Sequence, residues 1–459
     1  MTWPEAGDTI AAISTPPGEA GIGIVRLSGP RAQAIARQLF RPRRPRDPWQ
    51  SHRLYLGHIL DSKGHVLDEV LLTLMRAPQT YTREDVVEIH CHSGFAVLKA
   101  VLAEVLAQGA RLARPGEFTL RAFLAGRLDL SQAEAVLEVI QARTQASLRV
   151  AAAHLAGGLG KRLGEVRPVL LHLLARVDAA LDFPDEAAEL SPQSLDEELA
   201  GPLEELEQLL ATYQQGRLLR EGVGVVLAGR PNVGKSSLLN RLLNTERAIV
   251  TDIPGTTRDV IEETISLAGV PLRLSDTAGL REARDLVEEL GVARSRERLA
   301  QADLILLLVD ASEPLSSEDV QTLEDLAARP VLLVLNKIDL PQKIKVEDVR
   351  RYSSQPVVEI SALTGQGLER LEQAMVDAVL AGGAQPAGEI VTQARHAELL
   401  AQAQEALNRG RELLEQPEPP WELLAFEVKE ALTALGEITG EEVGDAVLDQ
   451  IFAEFCIGK

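Results

Sequence analysis

Gly229-Arg230-Pro231-Asn232-Val233-Gly234-Lys235-Ser236 decides how this chain reads. It lies between a strand-like run at 223–229 and a helical segment, the context that G-x-x-x-x-G-K-S requires. The glycines let backbone N–H groups close around a β-phosphate, and the helix N-terminus adds positive potential. Lys235 supplies a point charge to the β/γ-phosphates, and the Ser236 hydroxyl can ligate Mg²⁺. Val233, Gly234 and Ser237 complete the expected phosphate-binding set.

Four elements follow in the order a guanine-nucleotide module needs. Gly255-Thr256-Thr257-Arg258-Asp259 offers a hydroxyl for Mg²⁺. Asp276-Thr277-Ala278-Gly279 follows a strand, where the carboxylate reaches the magnesium shell and the glycine N–H the γ-phosphate. Asn336-Lys337-Ile338-Asp339 follows another, and Asp339 can accept N1–H and the 2-amino hydrogens of guanine, which adenine lacks. A carboxylate left unpaired by the wrong base discriminates strongly, so GTP is preferred over ATP. Ser361-Ala362-Leu363 would back the base with backbone amides. Leu280 follows Gly279, where Ras-like proteins carry the glutamine that orients water. Leucine cannot orient water, and the residues alone do not choose among Glu282, Glu288 and Glu289. Asn232 admits two readings: a turn residue, or, with carbonyls of the 251–257 loop, a ligand for a monovalent cation that stabilises charge between the β- and γ-phosphates.

Outward from this module the pattern changes on both sides. Strand-like runs at 223–229, 270–275, 304–310, 331–335 and 357–360 alternate with helical segments, which implies a mainly parallel sheet covered on both faces. Residues 1–120 read as mixed α/β, with strand-like runs at 22–27, 70–75 and 86–91 and a helical run at 95–107. From about 121 to 220 the pattern is helical, broken at Phe183-Pro184 and Ser191-Pro192, and Ser131-Gln132-Ala133-Glu134 fits a capping box. Helical pattern resumes at 386, where Leu400, Leu407 and Leu414 recur every seven residues. The simplest architecture is an α/β domain at 1–120 and a discontinuous helical domain at 121–220 and 386–459, with a Ras-like P-loop module at 221–385 inserted into it. Insertion is cheap because domain termini lie at the surface and often close together.

At 459 residues with 45 % apolar and 25 % charged residues, the composition is that of an ordered multidomain protein. Apolar stretches such as 304–309 are strand-length, so no membrane span is expected. The Met-Thr-Trp-Pro-Glu start lacks the features of a secretion or import signal, and Cys91 and Cys456 are the only cysteines, so a reducing cytoplasm is expected. The net charge is −21, yet residues 26–53 hold eight arginines against Asp47 alone, and 182–208 hold ten acids with no Lys or Arg. A chain so acidic is a poor unaided binder of polyanions, so a nucleic-acid substrate would be held largely by a basic partner.

The motifs outside the nucleotide module carry a resemblance over the full length. They include Thr15-Pro16-Pro17-Gly18, Gly21-Ile22-Gly23-Ile24-Val25-Arg26-Leu27-Ser28-Gly29, Tyr81-Thr82-Arg83-Glu84-Asp85-Val86-Val87-Glu88 and Arg114-Pro115-Gly116-Glu117-Phe118-Thr119. Leu128-Asp129-Leu130, Asp182-Phe183-Pro184-Asp185-Glu186 and the terminal Phe455-Cys456-Ile457-Gly458-Lys459 complete them. With these, the chain resembles the MnmE (TrmE) family of tRNA-modification GTPases. The resemblance implies a folate-binding N-terminal domain that also dimerises, a discontinuous helical domain and an inserted G domain. It implies potassium-stimulated GTP hydrolysis as the G domains of a homodimer pair. It also implies an FAD-containing partner, MnmG, with which C5 of the wobble uridine of certain tRNAs gains an aminomethyl or carboxymethylaminomethyl group. The one-carbon unit would come from 5,10-methylenetetrahydrofolate or a related folate.

Carried onto this sequence, the resemblance implies potassium ligands at Asn232, Thr251, Ile253 and Thr256, and magnesium ligands at Ser236 and Thr257. Asp252, Pro254 and Gly255 belong to the same nucleotide-contacting loop, and Glu288 matches the catalytic glutamate beside Lys235. Arg26, Glu88, Arg127 and Lys459 match folate-site positions, with Arg127 where some members have lysine and Arg83 where glycine is common. The pterin ring shares guanine's 2-amino/4-oxo edge, so Glu88 could accept from both N–H groups while Arg26 and Arg127 meet carboxylates. Cys456 is a candidate for chemistry near folate or a packing thiol. His90-Cys91-His92 would place its imidazoles on one strand face and Cys91 on the other, in a core, which argues against metal binding. Two other readings stand beside this one: a ribosome-assembly or translational regulatory GTPase, which gives no role to the N-terminal motifs, and a folate-dependent one-carbon enzyme acting alone.

Overall fold

The computed structural model describes residues 7–16, 18–44, 48–183, 190–245, 263–267, 269–276, 302–380 and 389–459. The chain clusters into two compact units. One holds residues 1–137, 154–203 and 402–459, the other 138–153 and 204–401.

In the first unit, seven strands among the described residues form one sheet: β1 (Ile10–Ile13), β2 (Ala20–Ser28), β3 (Phe40–Pro42), β4 (Arg53–Leu60), β5 (Val66–Met75), β6 (Val86–Ser93) and β7 (Arg111–Leu112). Their order is β3-β4-β5-β6-β2-β1-β7, antiparallel except where β7 joins β1. Strand side chains alternate between faces. Val87, Ile89 and Cys91 of β6 therefore enter the core with Val25, Leu27, Leu72, Leu98 and Val101, under the helices Ala32–Leu39 and Phe95–Ala107. Glu88, His90 and His92 take the other face, as their alternation implied. Burial pushes the Cys91 thiol up to about 12, so it stays protonated and packs as a small hydrophobe.

Helix Gly158–Asp182 lies against Trp421–Thr439 and buries Leu159, Leu163, Val166, Leu170, Leu173 and Val177, a stripe at three- and four-residue spacing. The capping box expected at Ser131 sits two residues earlier. Asp129 Oδ1 accepts from the Gln132 amide at 2.8 Å, and Gln132 Oε1 accepts from the Asp129 amide at 3.0 Å. Asp and Gln satisfy the orphan N-terminal amides as Ser and Glu would. Leu130 then opens the helix Leu130–Gln141 and is itself fully buried.

The second unit carries β8 (Val223–Ala228), β9 (Glu263–Leu267), β10 (Val270–Asp276), β11 (Leu304–Asp310), β12 (Val331–Asn336) and β13 (Val357–Glu359) in the order β13-β12-β11-β8-β10-β9. Pairing is parallel except at β9, an edge strand antiparallel to β10 that the sequence reading did not place. Its Glu-Thr-Ile-Ser-Leu offers only two apolar positions. By contrast all seven residues of β11 are buried, since a central parallel strand is covered on both faces. One core cluster holds Leu306, Leu308 and Val334, and the other Ile305, Leu307 and Leu335.

Candidate functional site

β8 ends at Ala228, and the loop 229–234 delivers the chain into helix Lys235–Thr245. Three of its residues have positive φ: Gly229 at 131°, Asn232 at 67° and Gly234 at 100°. Gly234 is required sterically as well, because a Cβ there would stand 2.2 Å from Asn336 Nδ2. Lys235 is buried, and its ammonium donates to the Gly229 and Arg230 carbonyls at 2.7 and 2.8 Å, which holds it over the loop. Asn232, Ser236 and Ser237 are exposed at the rim. Arg230 donates through Nε to Asp319 Oδ1 at 2.8 Å, and Asp319 also makes the capping box of helix Ser317–Asp325 with Ser316.

The β12 end supplies a second anchor. Buried Asn336 donates Nδ2 to the Val233 carbonyl at 2.8 Å and accepts the Ala362 amide on Oδ1 at 2.9 Å. One side chain thus joins the phosphate loop to the 361–363 loop, a role that motif spacing did not reveal. Asp339 is exposed and accepts from Ser361 Oγ at 2.6 Å, which orients the carboxylate expected to read guanine. Leu363 is 78 % exposed, and its carbonyl accepts from Arg241 at 3.1 Å. Lys337, left-handed at φ 67°, pairs with Asp310 at 2.5 Å. Burial alone would raise the Asp310 pKa; Lys337 and Ser312 outweigh it and hold the carboxyl below its ordinary value. Asp276 closes β10, next to the end of β8. Thr251, Asp252, Ile253, Pro254, Gly255, Thr256, Thr257, Thr277, Ala278, Gly279, Leu280, Glu282, Glu288 and Glu289 lie outside the described residues.

The first unit assembles a second set. Arg26 and Glu88 face each other across β2 and β6, with Arg26 Nε 2.9 Å from Glu88 Oε1. Arg26 also donates to the Gly458 carbonyl at 3.3 Å and stacks its guanidinium over Phe118, 5.7 Å from the ring centroid. The Phe118 amide donates to the Lys459 carbonyl at 3.1 Å, and Pro115 bridges Ile457. The C-terminal tail is therefore laid against residues 115–118. Gly458 is left-handed at φ 99°, and a Cβ there would meet the Ile13 carbonyl at 2.4 Å. Arg127 stacks 4.7 Å from the Tyr81 ring centroid, and the Tyr81 hydroxyl hydrogen-bonds Thr119 Oγ1 at 2.9 Å. Burial raises the Tyr81 phenol above its ordinary pKa, against the opposing effects of Thr119, Arg127 and Arg26.

Arg26 thus lies over Phe118 and Arg127 over Tyr81, while Glu88 pairs with Arg26 and the Lys459 backbone with Phe118; the two rings are motif letters in the sequence alone. His90 was also passed over as a site residue, and its Nε2 lies 3.3 Å from Glu88 Oε2. Both Glu88 oxygens are engaged, yet a carboxylate offers about four lone-pair sites, so it can accept further donors. Arg83, in place of the common glycine, adopts φ 59° and donates to the Ala125 carbonyl at 2.8 Å. Cys456 is exposed.

Among the described residues no helix is long and apolar enough to cross a membrane. The family model for the MnmE helical domain matches residues 130–456, and that for the GTP-binding protein TrmE N-terminus matches residues 9–127. The chain is 51 % identical to the tRNA modification GTPase MnmE of Chloroflexus aurantiacus, covering 98 % of this chain and 100 % of that one. It is 48 % identical to the protein of that name from Geobacillus thermodenitrificans, over 98 % of this chain and 99 % of the other. With both flanks of the phosphate loop matched end to end, the chain belongs to the MnmE (TrmE) family of tRNA modification GTPases.

Proposed function

We propose that this chain hydrolyses GTP to drive modification of C5 of the wobble uridine in certain tRNAs, together with an FAD-containing MnmG partner. The observation that carries the reading is the Asn336 link, which holds a phosphate loop and a base-reading loop in one frame within a chain of this family. GTP would draw Lys235 from the Gly229 and Arg230 carbonyls onto its phosphates, so the loop exchanges an internal bond for a stronger charge-assisted one. Asp339, already turned by Ser361, would accept the guanine N–H pair. Ser236 and Thr257 would hold Mg²⁺, and Asn232, Thr251, Ile253 and Thr256 would hold K⁺, two charges that offset the negative charge of the reacting phosphates. Glu288 would orient the attacking water.

The proposed domains are 1–120 for folate binding and dimerisation, 121–220 with 386–459 for the helical frame, and 221–385 for the G domain. In the first of these, half-buried Tyr81 offers an aromatic face, Glu88 an acceptor, and Arg26, Arg127 and Lys459 cations for the glutamate tail of a folate, with fully buried Phe118 as the floor under Arg26. A bound methylenetetrahydrofolate would supply the one-carbon unit. The chain would act as a cytoplasmic homodimer, with tRNA held largely by the flavoprotein.

Titration with 5-formyltetrahydrofolate tests the N-terminal half. Glu88→Gln should weaken binding about tenfold or more while GTP turnover stays within about twofold of the parent, because hydrogen bonds to charged groups contribute about 1.5–3 kcal/mol. Equal affinity in parent and variant would remove Glu88 from the site.

A further inference from the structure

The segment 138–153 clusters with the nucleotide-binding sheet although it lies about 70 residues before β8 in the chain. Two sets of contacts hold it there, and another closes the crossings between them. First, the buried Glu138 carboxylate gathers both crossings by which the sheet module is inserted. Its Oε1 accepts from Thr392 Oγ1 at 2.7 Å and Gln393 Nε2 at 3.0 Å, and lies 3.6 Å from Arg220 Nε. Arg220 stands just before β8, and Thr392 and Gln393 stand just before helix Ala394–Leu414.

Second, the crossings are joined to each other. The Val391 amide donates to Thr212 Oγ1 at 2.9 Å, and the Val391 carbonyl is so close to Gly216 that a Cβ there would stand 2.0 Å away. Third, the segment touches the hairpin β9–β10. Arg143 donates to Thr264 Oγ1 of β9 at 2.6 Å, and Ala146 Cβ lies 3.1 Å from where a Cβ would stand on Gly269, in the hairpin turn. Ala146 and Val150 pack on the sheet's own core.

The strand register turns these contacts into a connection. Leu272 of β10 pairs with Val223 at the start of β8, and Asp276 pairs with Leu227 near the phosphate loop. The hairpin therefore has its open end beside the start of the phosphate loop and its turn beside the insertion point. Five residues of strand span about 17 Å. A paired hairpin slides or tilts as one body, since its ladder bonds fix the register. A shift at the open end reaches Gly269 and Thr264, and hence Ala146 and Arg143. Beside Glu138 a cavity of about 20 Å³, lined by Ser147, Val150, Leu219, Arg220 and Thr392, has room for about one water. Within the clamp the Arg220 contact, at 3.6 Å, is looser than the Thr392 bond at 2.7 Å.

We infer that Glu138 and Arg143 are positioning residues: Glu138 fixes the base of the inserted module, and Arg143 with Ala146 carries the state of the β9–β10 hairpin into segment 138–153. This rests on the proposed GTPase function. The partners of Glu138 and Arg143 given above lie outside the nucleotide set, so removing these side chains should uncouple the module without emptying it.

Amide hydrogen exchange on the full-length chain, with GDP or a non-hydrolysable GTP analogue in K⁺ and Mg²⁺, tests it. In the parent, exchange in 145–153 should differ between the two nucleotides by about fivefold or more, the low end of an ordinary coupling free energy. In Arg143→Ala and in Thr264→Val that difference should vanish while affinity for both nucleotides stays within about twofold. Arg143→Ala with Thr264→Val together should behave as either alone, since they remove the same bond. Glu138→Gln, which keeps the shape and one acceptor, should leave the nucleotide difference at 263–267 and abolish it at 145–153. Exchange in 145–153 that ignores the nucleotide in the parent, or a difference that survives all three single variants, overturns the inference. The readout needs only nucleotide binding, so failure of the tRNA-modifying role would be seen separately, as an unmodified uridine with this response intact.

Discussion

Asn336→Ala is the most severe single test of how the nucleotide site is held. The substitution deletes two bonds at once, to the Val233 carbonyl at 2.8 Å and from the Ala362 amide at 2.9 Å. Val233, Ala362 and Asn336 are all buried, at 2 %, 6 % and 2 % exposure, so water does not readily replace the lost partner. A buried backbone group left unsatisfied costs about 1–3 kcal/mol, and two of them about 2–6 kcal/mol. That cost divides between the free protein and its complex. Where the free loops relax to find water, binding must order them again. Fluorescent GDP titration and the thermal midpoint of the nucleotide-free protein, measured together, capture both shares. If binding bears the whole cost, the Kd rises at least about 30-fold, since each 1.4 kcal/mol is about tenfold. If the free protein bears it, the midpoint falls by several degrees. A Kd within about threefold of the parent with an unchanged midpoint would refute the claim that Asn336 frames the site. Asn336→Asp should be worse, because it keeps the acceptor for Ala362 and sets a carboxylate against the Val233 carbonyl.

Asp339→Asn should move the preference from GTP toward xanthosine triphosphate in competition binding; retained guanine selectivity would contradict the assignment of base reading to Asp339. Glu288→Ala should lose hydrolysis and keep nucleotide affinity, and parallel loss of binding would make Glu288 structural. Exchanging sodium for potassium should raise GTP turnover, and equal rates would remove the cation from Asn232. Acid should loosen the N-terminal unit at its first strand. Burial alone would raise the pKa of Asp8 and Glu117, but Arg111 and Arg121 outweigh it and hold both below their ordinary values. The folded chain then binds fewer protons than the unfolded one, so the stabilisation is present above the ordinary carboxylate range and is lost as pH falls through the lowered values. Denaturant midpoints from pH 6 to 3 should fall less in Glu117→Gln than in the parent; parallel profiles would exclude Glu117 as the group responsible.

Much of this was legible in the residues, for identifiable reasons. The phosphate loop reads from sequence because it demands specific backbone chemistry at fixed spacing, and β11 reads because a strand buried on both faces leaves six apolar letters in a row before Asp310. The helix Phe95–Ala107 reads from sequence because its apolar run meets Gly94 at one end and Gln108-Gly109 at the other. Other features depend on partners distant in the chain, which a local pattern does not encode. β9 is half polar and exists by pairing with β10. Asn336 sits inside a motif yet works through residues 103 and 26 positions away. Asp129 replaced Ser131 as the cap because Leu130 is buried and its burial fixes where the helix begins. Phe118 and Tyr81 became site candidates only when the sheet brought Arg26 and Arg127 over their rings.

In the proposed function, GTP hydrolysis is coupled to a change in an anticodon base. Nucleoside analysis of wobble uridine from cells that lack this chain, complemented with the parent or with Glu288→Ala, measures that coupling. The parent should restore the aminomethyl-type substituent at C5 and Glu288→Ala should leave the uridine bare, although it still binds GTP. Identical nucleosides with and without the chain, or full restoration by Glu288→Ala, would contradict it.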